Sequence, residues 1–212
     1  MTVKNYYAST NDGEVSNAGE DTWSNIRNGI TGDRWLNNRT VIDIWIYGDG
    51  SWYELGRGFL DFDTSDIPEN AIIISADLYL YSPQSNEIKP ICAMKGIQAI
   101  PMSTDDYNSF AGSSYGTVIL IHDQYNIINF NAQGKLDIVK GGITKICVRD
   151  YDYDYTDLEP DGLYYMSVFR SASYEGTDYD PYLAITYEIP LQAPILTAIQ
   201  VGSEIHLDWS GE

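Results

Sequence analysis

Residues 57–81, RGFLDFDTSDIPENAIIISADLYLY, decide the fold. They spell a strand, a polar corner and a second strand. From Ile72 onward the apolar residues take every second position, Ile72, Ile74, Ala76, Leu78 and Leu80, while Ser75, Asp77, Tyr79 and Tyr81 point the other way. A helix would carry both sets around all its sides, so the period of two predicts an antiparallel strand with one face buried and one face in water. The wet face carries tyrosines instead of lysines. The same patterning predicts a core containing Leu60, Phe62, Ile72, Ile74, Leu78, Leu80, Phe130, Ile146, Val148, Leu183 and Ile185.

Outward from this stretch, turn chemistry alternates with short apolar runs. Asn11-Asp12-Gly13, Asn28-Gly29, Thr31-Gly32-Asp33 and Gly48-Asp49-Gly50 separate strands that include residues 41–47. Further strands are predicted at 91–100, 118–122, 126–130, 143–149, 163–170 and 182–187. One short helix is predicted after Asn131, a good N-cap, running through Leu136 and Val139 until Gly141-Gly142 stops it. The fold class that follows is all-β: an antiparallel β-sandwich of jelly-roll type with at most one short helix, plus a C-terminal two-strand extension.

A chain of 212 residues is long for one sandwich and short for two domains. The expected division is a sandwich over 1–188 and an extension over 189–212, where the texture changes at Pro190. With 31 acidic and 12 basic residues the formal net charge is -19, which repels both a phosphate backbone and an anionic bilayer. Nucleic acid and membrane insertion are therefore excluded as expected partners. The opening seven residues show no basic region followed by an apolar one. An exterior location then requires virion assembly in a cytoplasm followed by lysis, or a leader already removed, and Met1 favours the first. Cys92 and Cys147 sit in strand-like segments that can be sheet neighbours, either as free buried thiols or as a disulfide. Neither has a His or second Cys at zinc-ligand spacing.

Three segments resemble the DNRLRE type of extracellular β-sandwich module, found in bacterial and archaeal surface proteins and phage structural proteins and related in shape to carbohydrate-binding jelly rolls. Residues 57–81 match its strand ending in Phe-Asp, its Ser-x-Ile-Pro corner and its A-x-L-x-L-Y strand. Residues 130–149 place a strand, a short helix, a Gly-Gly turn and a strand in the family's order, with Ile138 near the position where a Trp is often seen. Residues 169–175, leading into Asp180-Pro181 and 182–187, look like its closing strand. The openings YYASTNDGEVS and TWSNIRNGITGD resemble phage-encoded members. Residues 190–212 look like the first two strands of a fibronectin type III domain. The resemblance implies a fold and leaves function open.

Gly112-Ser113-Ser114-Tyr115-Gly116 matches the G-x-S-x-G pattern of a nucleophile elbow, but that elbow needs a strand before it and a helix after it. Loop and strand are predicted instead. His122 and His206 have no partner pattern for acid–base work, so no enzyme is expected. The acidic segment 150–162 supports a calcium expectation through Asp150, Asp152, Asp154, Asp157 and Asp161, since calcium takes several hard oxygens and the segment itself holds no compensating base. It is not an EF-hand, because Tyr155 stands where that loop needs Gly. Tyr79, Tyr81, Tyr151, Tyr153 and Tyr155 are the candidate glycan or interface residues, the last three sharing a face opposite the aspartates if the segment is extended. Asn38-Arg39-Thr40 is a glycosylation pattern, informative only on a glycosylating route.

Two readings of function follow. One is a structural or adhesive module of a virion or surface assembly, binding other copies of itself or further surface proteins, with no cofactor required. The other is a carbohydrate-binding module holding a surface glycan on an aromatic patch, with calcium as a stabiliser. In the first, a hairpin carrying Ile195, Ile199, Ile205, Leu207 and Trp209 is too apolar to leave in water and too small to form a core, so it is expected to bury Ile205 and Trp209 against another copy.

Overall fold

The computed structural model describes residues 1–37, 39–86, 89–173, 176, 178–191, 195–201 and 204–210, with backbone alone at 85–86, 163, 195–201 and 204–210. In chain order the first elements are strands β1 (Thr2–Tyr7) and β2 (Gly13–Gly19), helix α1 (Trp23–Arg27), then β3 (Arg34–Leu36), β4 (Val41–Gly48), β5 (Tyr53–Asp63) and β6 (Ile72–Ser82). After these come β7 (Ser85–Asn86), β8 (Pro90–Gly96), a 3-10 turn (Thr104–Asp106), β9 (Phe110–Ile119), β10 (Gln124–Asn129) and helix α2 (Ala132–Leu136). The chain continues with β11 (Ile143–Asp150), a π-helical turn (Tyr151–Tyr155), β12 (Leu163–Arg170), β13 (Tyr182–Glu188), β14 (Ile195–Val201) and β15 (Glu204–Ser210).

Two antiparallel sheets form the sandwich. One has four strands in the order β1-β13-β6-β10. The larger runs β7-β12-β4-β5-β11-β8-β9, with β2 and β3 branching from β5. Between the sheets lies one apolar cluster, which includes Leu60 and Phe62 of β5, Leu78 and Leu80 of β6, Ile146 and Val148 of β11, and Leu183 and Ile185 of β13. Phe130 joins it. Each such side chain contributes roughly 1.5–3 kcal/mol by leaving water.

The larger sheet is buried on both faces, which one-sided patterning did not anticipate. Val15, Leu55, Phe59, Met94 and Cys147 form a second cluster on its far side, roofed by Trp23 and Ile26 of α1 and by Met102, Tyr107 and Tyr153. Strand parity explains the split, since Ile146 and Val148 face one cluster while Cys147 between them faces the other. Cys92 and Cys147 are free and buried, on the adjacent strands β8 and β11.

Two of the predicted core residues are exposed: Ile72 at 49% and Ile74 at 38%. The cause is a β-bulge. Thr186 of β13 pairs with Ser75, but Tyr187 pairs with Ile73, so Ile74 is an extra residue on β6 and the parity of the strand inverts beyond it. Ile73 packs against the core instead, and Ile72 lines an apolar groove of about 440 Å³ with Ala71, Leu136 and Ile138.

The helix after Asn131 forms as predicted at its start, where Asn131 Oδ1 accepts from Gly134 N at 3.0 Å. It ends at Leu136, before Val139. Gly134 is required there, because a Cβ would meet the ring of Tyr115 at 2.8 Å. Helix α1, capped by Thr22, the 3-10 turn and the π-helical turn add three short helical pieces that the apolar pattern does not announce.

In the C-terminal hairpin β14 pairs with β15. Its register sets Leu196 opposite Trp209, Ala198 opposite Leu207 and Gln200 opposite Ile205, whereas Ile195, Ile199 and Val201 stand opposite Ser210, His206 and Glu204. Cross-strand partners share a face, so the register divides the expected apolar set between the two faces of the hairpin. The burial expected of Ile205 and Trp209 concerns side chains outside the described residues, as does the glycosylation pattern at Asn38.

Candidate functional site

The four-stranded sheet turns its inner face to the core and its outer face outward, and register decides what that outer face displays. Tyr7 pairs with Tyr182, Tyr182 with Tyr79, and Tyr81 with Tyr125, so tyrosines from β1, β13, β6 and β10 meet side by side. Tyr79 and Tyr182 stack at 4.4 Å between ring centres with planes 10° apart. Tyr7 lies 5.6 Å from Tyr182. Tyr125 makes T-shaped contacts with three rings, Tyr79 at 6.4 Å, Tyr81 at 5.5 Å and Tyr182 at 5.2 Å. Tyr179, just before β13, packs on Tyr81 at 4.3 Å.

Stacked and edge-on rings stabilise one another by about 0.5–1.5 kcal/mol per pair beyond the area they bury. They also use π-faces on each other, leaving ring edges and hydroxyl tips for whatever approaches. The Tyr125 hydroxyl is turned back to donate to the carbonyls of Asp178 and Asp180, at 2.9 and 3.1 Å. Burial raises the affinity of Tyr125 and Tyr182 for their protons, so neither of these two carries phenolate charge near neutral pH. The next row across the sheet is polar at three of its four positions: Asn5, Ala184, Asp77 and Asn129 stand in register, and Asn129 Nδ2 donates to Asp77 Oδ1 at 2.8 Å.

Tyr79 and Tyr81 therefore belong to one array, as β6 alternation suggests. Tyr7, Tyr125, Tyr179 and Tyr182 complete it and were not predicted. The signal for Tyr182 was present, since it holds the outward parity of the strand in which Leu183 and Ile185 point inward.

Tyr151, Tyr153 and Tyr155 lie elsewhere and do not share one face, because their segment is a π-helical turn and not an extended strand. Tyr151 stacks on Tyr155 at 5.3 Å. Tyr153 is buried and stacks on Tyr165 at 5.4 Å, with Lys89 Nζ over both rings.

Two bonding demands wind the turn. Asp150 caps it by accepting from Tyr153 N at 2.7 Å. Asp154 is drawn fully inside, where its carboxylate accepts from Arg57 at 2.8 and 2.7 Å and from Arg149 at 2.7 and 2.6 Å. Both guanidiniums lie over the ring of Phe110, and Arg57 also over Tyr107. Burial alone would raise the Asp154 pKa, but Arg57 and Arg149 outweigh it and hold the carboxyl well below the usual range. Asp150 has no such partner, and burial pushes it up to about 7.

The bases missing from the acidic segment thus come from Arg149, which directly precedes it, and from distant parts of the chain. Arg27 Nε reaches Asp157 at 3.4 Å, and Lys89 Nζ lies 3.9 Å from Asp152. Asp161 is exposed. Among the described residues no group of three or more His, Cys, Asp or Glu is placed to hold a metal.

The G-x-S-x-G pattern lies within β9 and not in a loop. Ser114 Oγ donates to Gly116 O at 3.1 Å, and no helix follows the strand. The local irregularity is a register shift against β8 at Ala93/Lys95, which makes a bulge and not an elbow. Neither a scan against protein-family models nor a search of curated proteins finds a match to this chain.

Proposed function

We propose that this chain is a non-enzymatic structural module of a virion or extracellular surface assembly, associating with further copies or neighbouring surface proteins through the tyrosine face of its four-stranded sheet. The observation that carries the reading is the array of Tyr7, Tyr79, Tyr81, Tyr125, Tyr179 and Tyr182 on one outer sheet face. Tyrosines locked against one another lose little further entropy on binding, and their edges and hydroxyls suit the core of a protein interface. On a chain of net charge -19 an uncharged patch is also where two copies can approach with least repulsion. The resemblance of residues 57–81 and 169–187 to surface and phage modules supports the same reading.

Size-exclusion chromatography with light scattering over a range of concentrations tests it. The wild type is expected to associate as concentration rises, and the Tyr79→Ser/Tyr182→Ser variant to stay monomeric. A wild type that remains monomeric throughout, alone and with candidate surface partners, counts against the proposal.

A glycan-binding reading is favoured by a separate observation, the row of Asn5, Asp77 and Asn129 next in register to the tyrosines, which supplies donors and acceptors beside aromatic surface. Affinity electrophoresis against a panel of polysaccharides separates the two readings. Retardation of the wild type that is lost with Asp77→Ala would assign the face to sugar.

A further inference from the structure

We propose that Asp12 and Asp180 supply the carboxylates of a buried divalent-cation site of the calcium class, where the turn before β2 meets the turn before β13. The two segments are tied together by backbone: Ala8 N donates to Pro181 O at 2.8 Å, and Asp12 N donates to Ser9 O at 3.1 Å. Asp12 is 1% exposed and Asp180 5%. Asp12 Oδ2 accepts from Ala172 N at 2.6 Å. Asp12 Oδ1 and Asp180 Oδ1 are both shut off from solvent with no hydrogen-bond partner among the described residues.

An ionised carboxylate taken out of water needs a compensating charge or a full set of donors, and costs several kcal/mol without them. The charged groups felt by Asp12 are the acids Asp180 and Asp61, which make the lack worse, and burial is the larger influence in the same direction. Asp61 is provided for: Gln98 Nε2 donates to it at 2.8 Å, and Lys145 offsets its charge. That leaves Asp12 and Asp180, two formal negative charges with orphaned oxygens and, among the described residues, no ion pair shown to a base. A divalent cation neutralises that pair. Calcium accepts six to eight oxygens and takes many from backbone carbonyls, hydroxyls and water, so two carboxylates suffice for its charged ligands.

A proton is the competing occupant, since an acid without an ion in this setting is pushed to about 7. The two occupants predict different responses. Thermal melts of the full chain in chelator and in excess calcium chloride are expected to differ by about 5 °C, the mass-action gain of an ion bound only by the native state. Titration calorimetry of the wild type is expected to give one calcium per chain. The calcium-dependent shift should vanish in Asp12→Asn and in Asp180→Asn, and survive in Asp157→Asn. A wild type whose melts superimpose and whose calorimetry is flat overturns the proposal and leaves the proton. A shift that persists in both site variants overturns it as well, by placing the ion elsewhere. If one variant fails to fold, the other and the wild-type stoichiometry still decide.

Discussion

Asp154 and Asp12 are both buried carboxylates of the same chain, and their surroundings are opposite. Asp154 sits between Arg57 and Arg149, with four charge-assisted hydrogen bonds at 2.8 Å or less from their guanidiniums. Asp12 has one backbone donor and acids for neighbours. The acidity of a segment therefore does not mark where a cation is needed. In the aspartate-rich turn Asp154 is compensated by two arginines, whereas in the sparse turn Asp12 has a single backbone donor.

The largest expected effect comes from spoiling the compensated site. Arg57→Met leaves Asp154 buried with one arginine, and should cost about 3–5 kcal/mol in denaturant unfolding. A cost below about 1 kcal/mol would mean that Asp154 is not sustained by its arginines, and the comparison would collapse.

A second effect lies in pH. The folded-state pKa of Asp150 is raised above its unfolded value, so the fold binds a proton that the unfolded chain releases between about pH 4 and 7, and stability rises as pH falls through that window. Asp154 has the reverse sign, and its contribution is lost only in strong acid, below the ordinary carboxylate range. In chelator, wild-type stability should therefore increase by roughly 1–3 kcal/mol from pH 8 to pH 5. Asp150→Asn should flatten part of that slope. A profile that falls over this range would show Asp150 to be compensated after all.

Smaller still is the coupling of Tyr79 to Tyr182, expected at about 0.5–1.5 kcal/mol in a double-mutant cycle. It provides an uncharged reference for how much a surface contact on this chain is worth. The smallest change should come from Asp12→Asn in chelator, within about 1 kcal/mol of wild type, because the amide removes an uncompensated charge while keeping an acceptor for Ala172 N. A loss as large as that of Arg57→Met would reveal a base or donor serving Asp12 that the comparison omits.

What was legible in the sequence is what each strand states by itself. Leu78 and Leu80 alternate with Tyr79 and Tyr81, and both faces follow; Asn131 announces its helix. The Ile74 bulge was not legible, because it is a mismatch in count between β6 and β13 and neither strand carries it alone. Arg57 stood inside the opening stretch as the start of a strand, yet its burial depends on Asp154, 97 residues later. The tyrosine array failed to show for a similar reason: Tyr7 and Tyr182 lie at opposite ends of the chain, and only strand order makes them neighbours.

That strand order has a mechanical side. In the antiparallel pair of β1 and β13, Thr2 lies opposite Tyr187, so the chain enters and leaves the four-stranded sheet at the same end of one ladder. Tension drawn between the segments before Thr2 and after Glu188 would open that ladder rung by rung, as a zipper opens, without having to shear its bonds together. If the module is a link in a stretched array, it yields at low force through β1, and the sheet closed by β6, β10 and β13 is left to resist behind it.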